Sequence, residues 1–140
     1  MSDAVKEVAK KERPQFRNIS VTELGNYRMP LAGLASILHR ISGFLMFVFL
    51  PFILYLFQLS LRSEMSFAYF QGIASQWFVR LVLLALVWGY LQHFCSGLRH
   101  LLMDLHLGLD KDSARSSAAS VLVVSLALTA LVGLKLFGVF

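Results

Sequence analysis

Apolar residues fall into three long blocks that are separated by polar connections. The first block follows Met29-Pro30, the second begins at Trp77, and the third runs from Ala118 to Phe140. Each block approaches the roughly 20 residues that a helix needs to cross the hydrocarbon core of a bilayer. The pattern predicts an all-α membrane protein with three transmembrane helices, at about residues 31–61, 77–104 and 118–140.

Composition favours the same class. Hydrophobic residues make up 57% of the chain, above the roughly 45–50% of soluble domains. Residues 1–28 are polar and lack the apolar run of a signal peptide, so we expect a cytoplasmic N-terminal arm followed by a transmembrane domain at residues 29–140. The basic residues are not gathered on a soluble face, which favours contact with the lipid bilayer and argues against a nucleic-acid partner.

The basic residues also predict an orientation in the membrane. Ten lie in the N-terminal arm, at the start of the first helix or around the second connection, and the other three lie on the opposite side. Because cytoplasmic segments are enriched in Lys and Arg, we expect the N-terminus in the cytoplasm and the C-terminus in the periplasm. The segments Ser36–Gly43 and Arg99–Asp104 then lie at the same, cytoplasmic, face.

A histidine lies at the end of the second apolar block, where an ionisable group is costly and often functional. On a helix, His93, Gly97 and His100 share one face. Gly97 has no side chain, so a flat group such as a porphyrin could approach the backbone beside His93 and take an imidazole nitrogen on its iron. The alternative is that His93 hydrogen-bonds a neighbouring helix and Gly97 only permits close packing.

A second polar face lies near the start of the first helix. Ser36, Arg40 and Gly43 share this face, and His39 lies about 60° from Ser36 at the helical period. A hydroxyl and a guanidinium there could hold a small polar headgroup by its oxygens. The alternative is that Arg40 and His39 extend to the interface while Ser36 packs against a helix.

These histidines do not form an obvious axial pair for one iron. His93 and His100 are seven residues apart and face the same way, about 10 Å from each other along one helix. Counted from the helix ends, His39 and His93 lie at different levels. We therefore expect any second axial histidine to come from another chain.

Two motifs resemble those of a known family. Ser36–Gly43 (SILHRISG) is similar to S-I-x-H-R-x-[ST]-G, and His93–Asp104 (HFCSGLRHLLMD) is similar to H-x-x-x-G-x-R-H-x-x-x-D. Both occur in the cytochrome b556 membrane-anchor subunits of succinate dehydrogenase, or succinate:quinone oxidoreductase. Arg13-Pro14 resembles the N-terminal R-P of that family, although Gln15–Ile19 departs from the sequence that follows it in many members.

The resemblance implies a set of roles and partners. His93 would be an axial ligand of haem b, which is shared with a second haem-binding anchor subunit. Ser36 and Arg40 would line the ubiquinone site, and His39, Arg40 and His100 would lie near the haem propionates. An iron–sulfur subunit and a flavoprotein subunit would carry succinate oxidation, and the complex would lie in the bacterial inner membrane as part of the respiratory chain and the tricarboxylic acid cycle.

Other functions remain open from the residues. A quinol:fumarate reductase anchor would run the reaction in the opposite direction. A membrane proton-transfer subunit could use Arg40, His93 and His100 without redox chemistry, and a structural subunit would use its histidines only for packing.

Overall fold

The computed structural model describes Thr22, Asn26 and residues 28–139. Most of the expected N-terminal arm, with its Arg13-Pro14 motif, therefore lies outside the described residues. The described chain forms four helices and contains no strand, which confirms the all-α class. They are α1 (Leu31–Arg62), α2 (Glu64–Ala74), α3 (Trp77–Asp104) and α4 (Lys111–Leu136).

Three of these helices are long and apolar enough to cross a membrane, namely α1, α3 and α4. At about 1.5 Å per residue, even the shortest of them exceeds the roughly 30 Å of a hydrocarbon core. Their outward faces carry large apolar side chains such as Phe44, Phe47 and Phe57, which are mostly exposed. Such faces suit helices whose surroundings are lipid or another membrane subunit, as the apolar blocks of the sequence predict.

The connection between the first two spans contains the additional helix α2. Its start is stabilised by a reciprocal cap, in which the backbone N–H of Ser66 donates to Ser63 Oγ (3.2 Å) and the backbone N–H of Ser63 donates to Ser66 Oγ (2.9 Å). This arrangement satisfies two donors that a helix start otherwise leaves unpaired. Hydropathy alone does not indicate α2, because the helix is too short to span.

Helix α4 begins at Lys111, before the apolar block that starts at Ala118. Asp110 caps it, since its carboxylate accepts a bond from the Ser113 backbone N–H at 2.9 Å. This hydrogen bond lowers the pKa of Asp110 below its usual range. The apolar block of α4 is therefore preceded by about two polar turns of helix at its amino end.

Helix α3 is the central element, because it packs against both α1 and α4. Small residues lie where helices approach closely. A methyl group at Gly133 would lie 3.4 Å from the Leu84 side chain, and one at Gly89 would lie 3.9 Å from Ser42 Cβ. Close packing through small side chains is typical of membrane helices, and here it brings the motif Ser36–Gly43 of α1 against α3.

Candidate functional site

The imidazole of His93 lies directly against the backbone of α1 at Gly43. A methyl group at this glycine would lie 2.9 Å from His93 Cε1 and 3.2 Å from His93 Nδ1. These distances are shorter than a van der Waals contact, so only glycine leaves room for the ring. The two sequence motifs are thus in contact at Gly43 and His93.

A hydrogen bond fixes the His93 ring in this position. His93 Nδ1 lies 2.9 Å from the main-chain carbonyl oxygen of His39, and a carbonyl only accepts, so Nδ1–H is the donor. The Ser42 hydroxyl donates to the same carbonyl oxygen at 2.9 Å and its oxygen lies 3.4 Å from His93 Nδ1. With the proton on Nδ1, the other ring nitrogen, Nε2, keeps its lone pair for a ligand.

The side chain of His39 stacks on that of His93. The two ring centroids are 4.0 Å apart with an interplanar angle of 15°, and the His100 ring centroid lies 5.1 Å from that of His39. Gly97 of α3 lies close to the His39 ring, because a methyl group at Gly97 would be 3.8 Å from His39 Nε2. The three imidazoles therefore form one cluster between α1 and α3.

The expectation that His39 and His93 lie at different levels is wrong. Counting residues from the helix ends assumes that α1 begins where α3 finishes, whereas α3 extends past that level and brings His93 beside His39. The stacked rings still cannot be opposite ligands of one iron, since no porphyrin fits between two rings in face-to-face contact. Among the described residues, no group of three His, Cys, Asp or Glu side chains is placed to hold a metal ion.

Ser36 and Arg40 lie one turn apart on α1, beside the histidine cluster. Ser36 is half-buried and Arg40 is exposed. Within the described chain, neither side chain has a hydrogen-bond or ion-pair partner. The guanidinium and the hydroxyl are therefore free to donate to a molecule outside this chain.

Arg99 faces away from the cluster. Its side chain is buried, with Nε donating to Ser117 Oγ (3.0 Å) and Nη2 donating to the Ala114 carbonyl oxygen (3.3 Å). It thus joins the end of α3 to the start of α4.

Sequence reasoning missed a buried polar network next to His93. Gln92 is fully buried, its amide donates to Ser96 Oγ (3.2 Å), and its Oε1 accepts from Ser125 Oγ of α4 (2.8 Å). The signal was present, since Gln92, Ser96 and Arg99 recur at helical spacing on one face of α3. This face joins α3 to α4, and the adjacent face presents His93 to α1.

The chain is similar in sequence to several known proteins that share one name. The succinate dehydrogenase cytochrome b556 subunit of Coxiella burnetii is 33% identical over 112 residues, which cover 79% of this chain and 90% of that protein. The subunit of the same name from Paracoccus denitrificans is 30% identical over 105 residues, covering 75% of this chain and 81% of that protein. That of Rickettsia felis is 26% identical over 120 residues, covering 86% and 90%.

The matched family model takes in nearly all of the described helices and both motifs. Its description is succinate dehydrogenase/fumarate reductase transmembrane subunit, and it matches residues 10–132. With three membrane-crossing helices and the cluster between α1 and α3, the chain belongs to the family of succinate dehydrogenase and fumarate reductase transmembrane subunits.

Proposed function

We propose that this chain is the haem-binding anchor subunit of a bacterial succinate dehydrogenase and forms part of its ubiquinone-reduction site. The proposal rests on the position of the His93 ring, whose Nδ1–H donates a hydrogen bond to the His39 carbonyl oxygen at 2.9 Å. The relatives named as cytochrome b556 subunits support it. The same names favour succinate dehydrogenase over a quinol:fumarate reductase anchor.

The residues present fit haem b. Ligating histidines typically donate their second N–H to a carbonyl or carboxylate, which fixes the ring and raises its basicity. His93 has such an arrangement and would be the axial ligand through Nε2, while His39, Arg40 and His100 would contact the propionates. Bound in this way, the haem would supply one-electron redox chemistry.

The second axial ligand would come from a partner anchor subunit. Within this chain His39 stacks on His93 at 4.0 Å, and His100 follows His93 by two turns of the same helix. Neither imidazole can approach an iron from the side opposite His93. The proposed site is therefore complete only when a second membrane subunit packs against this one.

Arg40 and Ser36 would bind the quinone. A guanidinium is permanently charged and strongly donating, so Arg40 would hold a quinone carbonyl oxygen more tightly as electrons arrive and that oxygen becomes negative. The Ser36 hydroxyl both donates and accepts, so it would bond an oxygen and pass a proton to it. Electrons would reach this site from succinate through a flavoprotein subunit and an iron–sulfur subunit.

The proposed orientation follows the basic residues. The starts of α1 and α4 and the end of α3 would lie at the cytoplasmic face of the inner membrane, since most Lys and Arg lie there. Ser36 and Arg40, near the start of α1, would then face soluble subunits in the cytoplasm. Electrons would thus enter the membrane at the end of the bundle that carries the quinone site.

The ligand assignment is tested by the reduced-minus-oxidised absorption spectrum of the purified complex. We expect His93→Ala to lose the α-band of a low-spin b-type haem. His106→Ala is the matched control, because His106 lies in the exposed turn after α3 and should leave the band unchanged. A band of full height in His93→Ala would reject this histidine as the ligand.

The quinone assignment is tested by comparing two activities of the same complex. Arg40→Leu should impair succinate-dependent ubiquinone reduction and spare succinate oxidation by a soluble dye. Arg62→Leu, which removes an exposed arginine at the far end of α1, is the control and should preserve both. Equal loss of both activities in Arg40→Leu would indicate misassembly and contradict a specific quinone role.

A further inference from the structure

A cavity of about 510 Å³ opens where α1 and α4 begin, away from the histidine cluster. Its walls come from both helix starts and from the segment that leads into α1, and they combine cations with apolar side chains: Arg28, Met29, Pro30, Leu31, Ala32, Lys111, Ala114 and Arg115. Its volume lies within the range of ordinary small-molecule sites. Neither the proposed haem nor the proposed quinone site uses any of these residues.

Among the described residues that line this cavity, three carry a positive charge and none is a carboxylate. Arg28, Lys111 and Arg115 have no ion-pair partner within the described chain. The described acids at the start of α4, Asp110 and Asp112, do not line the cavity, and Asp110 already accepts the Ser113 N–H as the cap of α4. The described part of the lining therefore has a positive net charge.

The placement of two of these cations costs free energy unless an anion is present. Lys111 and Arg115 lie four residues apart on α4, so their like charges repel on one face. Lys111 also lies in the first turn of the helix, where the macrodipole disfavours positive charge. Enrichment of cytoplasmic loops in basic residues explains why cations occur on this side. It does not explain why Arg28 of a distant segment meets them in one cavity.

We propose that this cavity binds the phosphate group of an anionic phospholipid. The three cations would donate hydrogen bonds to the oxygens of a phosphodiester, and the apolar side chains of the wall, such as Met29 and Leu31, would contact the acyl chains. A free phosphate ion would satisfy the charges and leave the apolar wall unused. The anionic leaflet of a cell membrane is the cytoplasmic one, which is the side that the basic residues predict for this end of the bundle.

The test uses the purified, delipidated complex in detergent. Phosphatidylglycerol, phosphatidylcholine or inorganic phosphate is added separately, and bound lipid is counted by native mass spectrometry while the melting temperature is recorded. Each surface charge contributes roughly a fivefold change in affinity for anionic lipid. We therefore expect Lys111→Gln to weaken phosphatidylglycerol binding about fivefold, and the triple variant Arg28→Gln, Lys111→Gln, Arg115→Gln to weaken it on the order of a hundredfold.

The matched control removes the same charge from the opposite end of the bundle, through Arg62→Gln, Arg80→Gln and Lys135→Gln. It should bind phosphatidylglycerol as the unaltered complex does. Lys111→Arg with Arg115→Lys, which preserves both charges, should also retain binding. These two variants separate loss of the site from loss of folding, because all variants must show the same helical circular dichroism and elution volume to be compared.

Each other outcome overturns part or all of the proposal. Equal phosphatidylglycerol binding by the triple variant and the control, or equal binding of phosphatidylcholine, would reject an anionic-lipid site. Stabilisation by inorganic phosphate alone, lost in the triple variant, would keep an anion site and reject lipid as its ligand. Release of the soluble subunits from the triple variant would assign the cavity to an acidic segment of a partner protein and reject the lipid.

Discussion

The most direct test of the arrangement between α1 and α3 is Gly43→Ala. The new methyl group would lie 2.9 Å from His93 Cε1, so the imidazole must move by several tenths of an ångström or more. That movement breaks the bond to the His39 carbonyl, which contributes about 0.5–1.5 kcal/mol, and overpacking adds roughly 1–3 kcal/mol. Alanine in place of glycine within a helix returns about 1 kcal/mol. We expect a net destabilisation of about 0.5–3.5 kcal/mol.

The matched control is Gly97→Ala, at the corresponding contact on the other helix. Its methyl group would lie 3.8 Å from His39 Nε2, an ordinary contact, so the helix-propensity gain should make the change neutral or stabilising. Reversible unfolding of the purified protein in mixed detergent gives both free energies. Equal stability of the two variants would refute the close contact between the His93 ring and Gly43. If the proposed haem is bound, a shifted or weakened b-type spectrum in Gly43→Ala would be a second readout of the displaced ring.

Three further substitutions test the contacts between α3 and α4 and the cap at the start of α4. Gln92→Leu removes the bond from Ser125 and should lower the unfolding free energy by about 0.6–1.7 kcal/mol, the range of interhelical bonds in membranes; no change would show that the buried network does not stabilise packing. Arg99→Gln removes the charge-assisted bonds to Ser117 Oγ and the Ala114 carbonyl oxygen, so it should lower the unfolding free energy by roughly 1.5–3 kcal/mol and speed amide exchange at the start of α4. Unaltered exchange would contradict the contact. The lowered pKa of Asp110 means that its cap stabilises α4 above the unfolded pKa and is lost as pH falls through the folded one. Acid-induced exchange at this helix start should therefore be absent from Asp110→Asn, and its persistence would point to another group.

Much of the fold follows from hydropathy, because spans are selected by length and apolar content. Helix α2 does not follow, since it depends on the local cap between Ser63 and Ser66. The start of α4 depends likewise on Asp110. Both are short-range hydrogen-bonding signals that a search for apolar blocks overlooks.

The candidate site was only partly predictable for a different reason. Helical periodicity shows which residues share a face, and it identified Gly97, His93 and His100 as neighbours. It does not show how far one helix is shifted along another, which is why His39 and His93 were expected at different levels. The axial shift is determined by tertiary contacts such as that between Gly43 and the His93 ring.

The bond from His93 to α1 ends on a main-chain oxygen, and this has a consequence for genetics. Every residue type at position 39 has that carbonyl, so replacing His39 removes its imidazole and leaves the acceptor for His93 in place. A substitution scan at position 39 would therefore test only the side chain and would not detect the hydrogen bond that the main-chain carbonyl accepts from His93. In chimaeras between relatives, the orientation of His93 should follow the glycine at position 43, whichever residue occupies position 39.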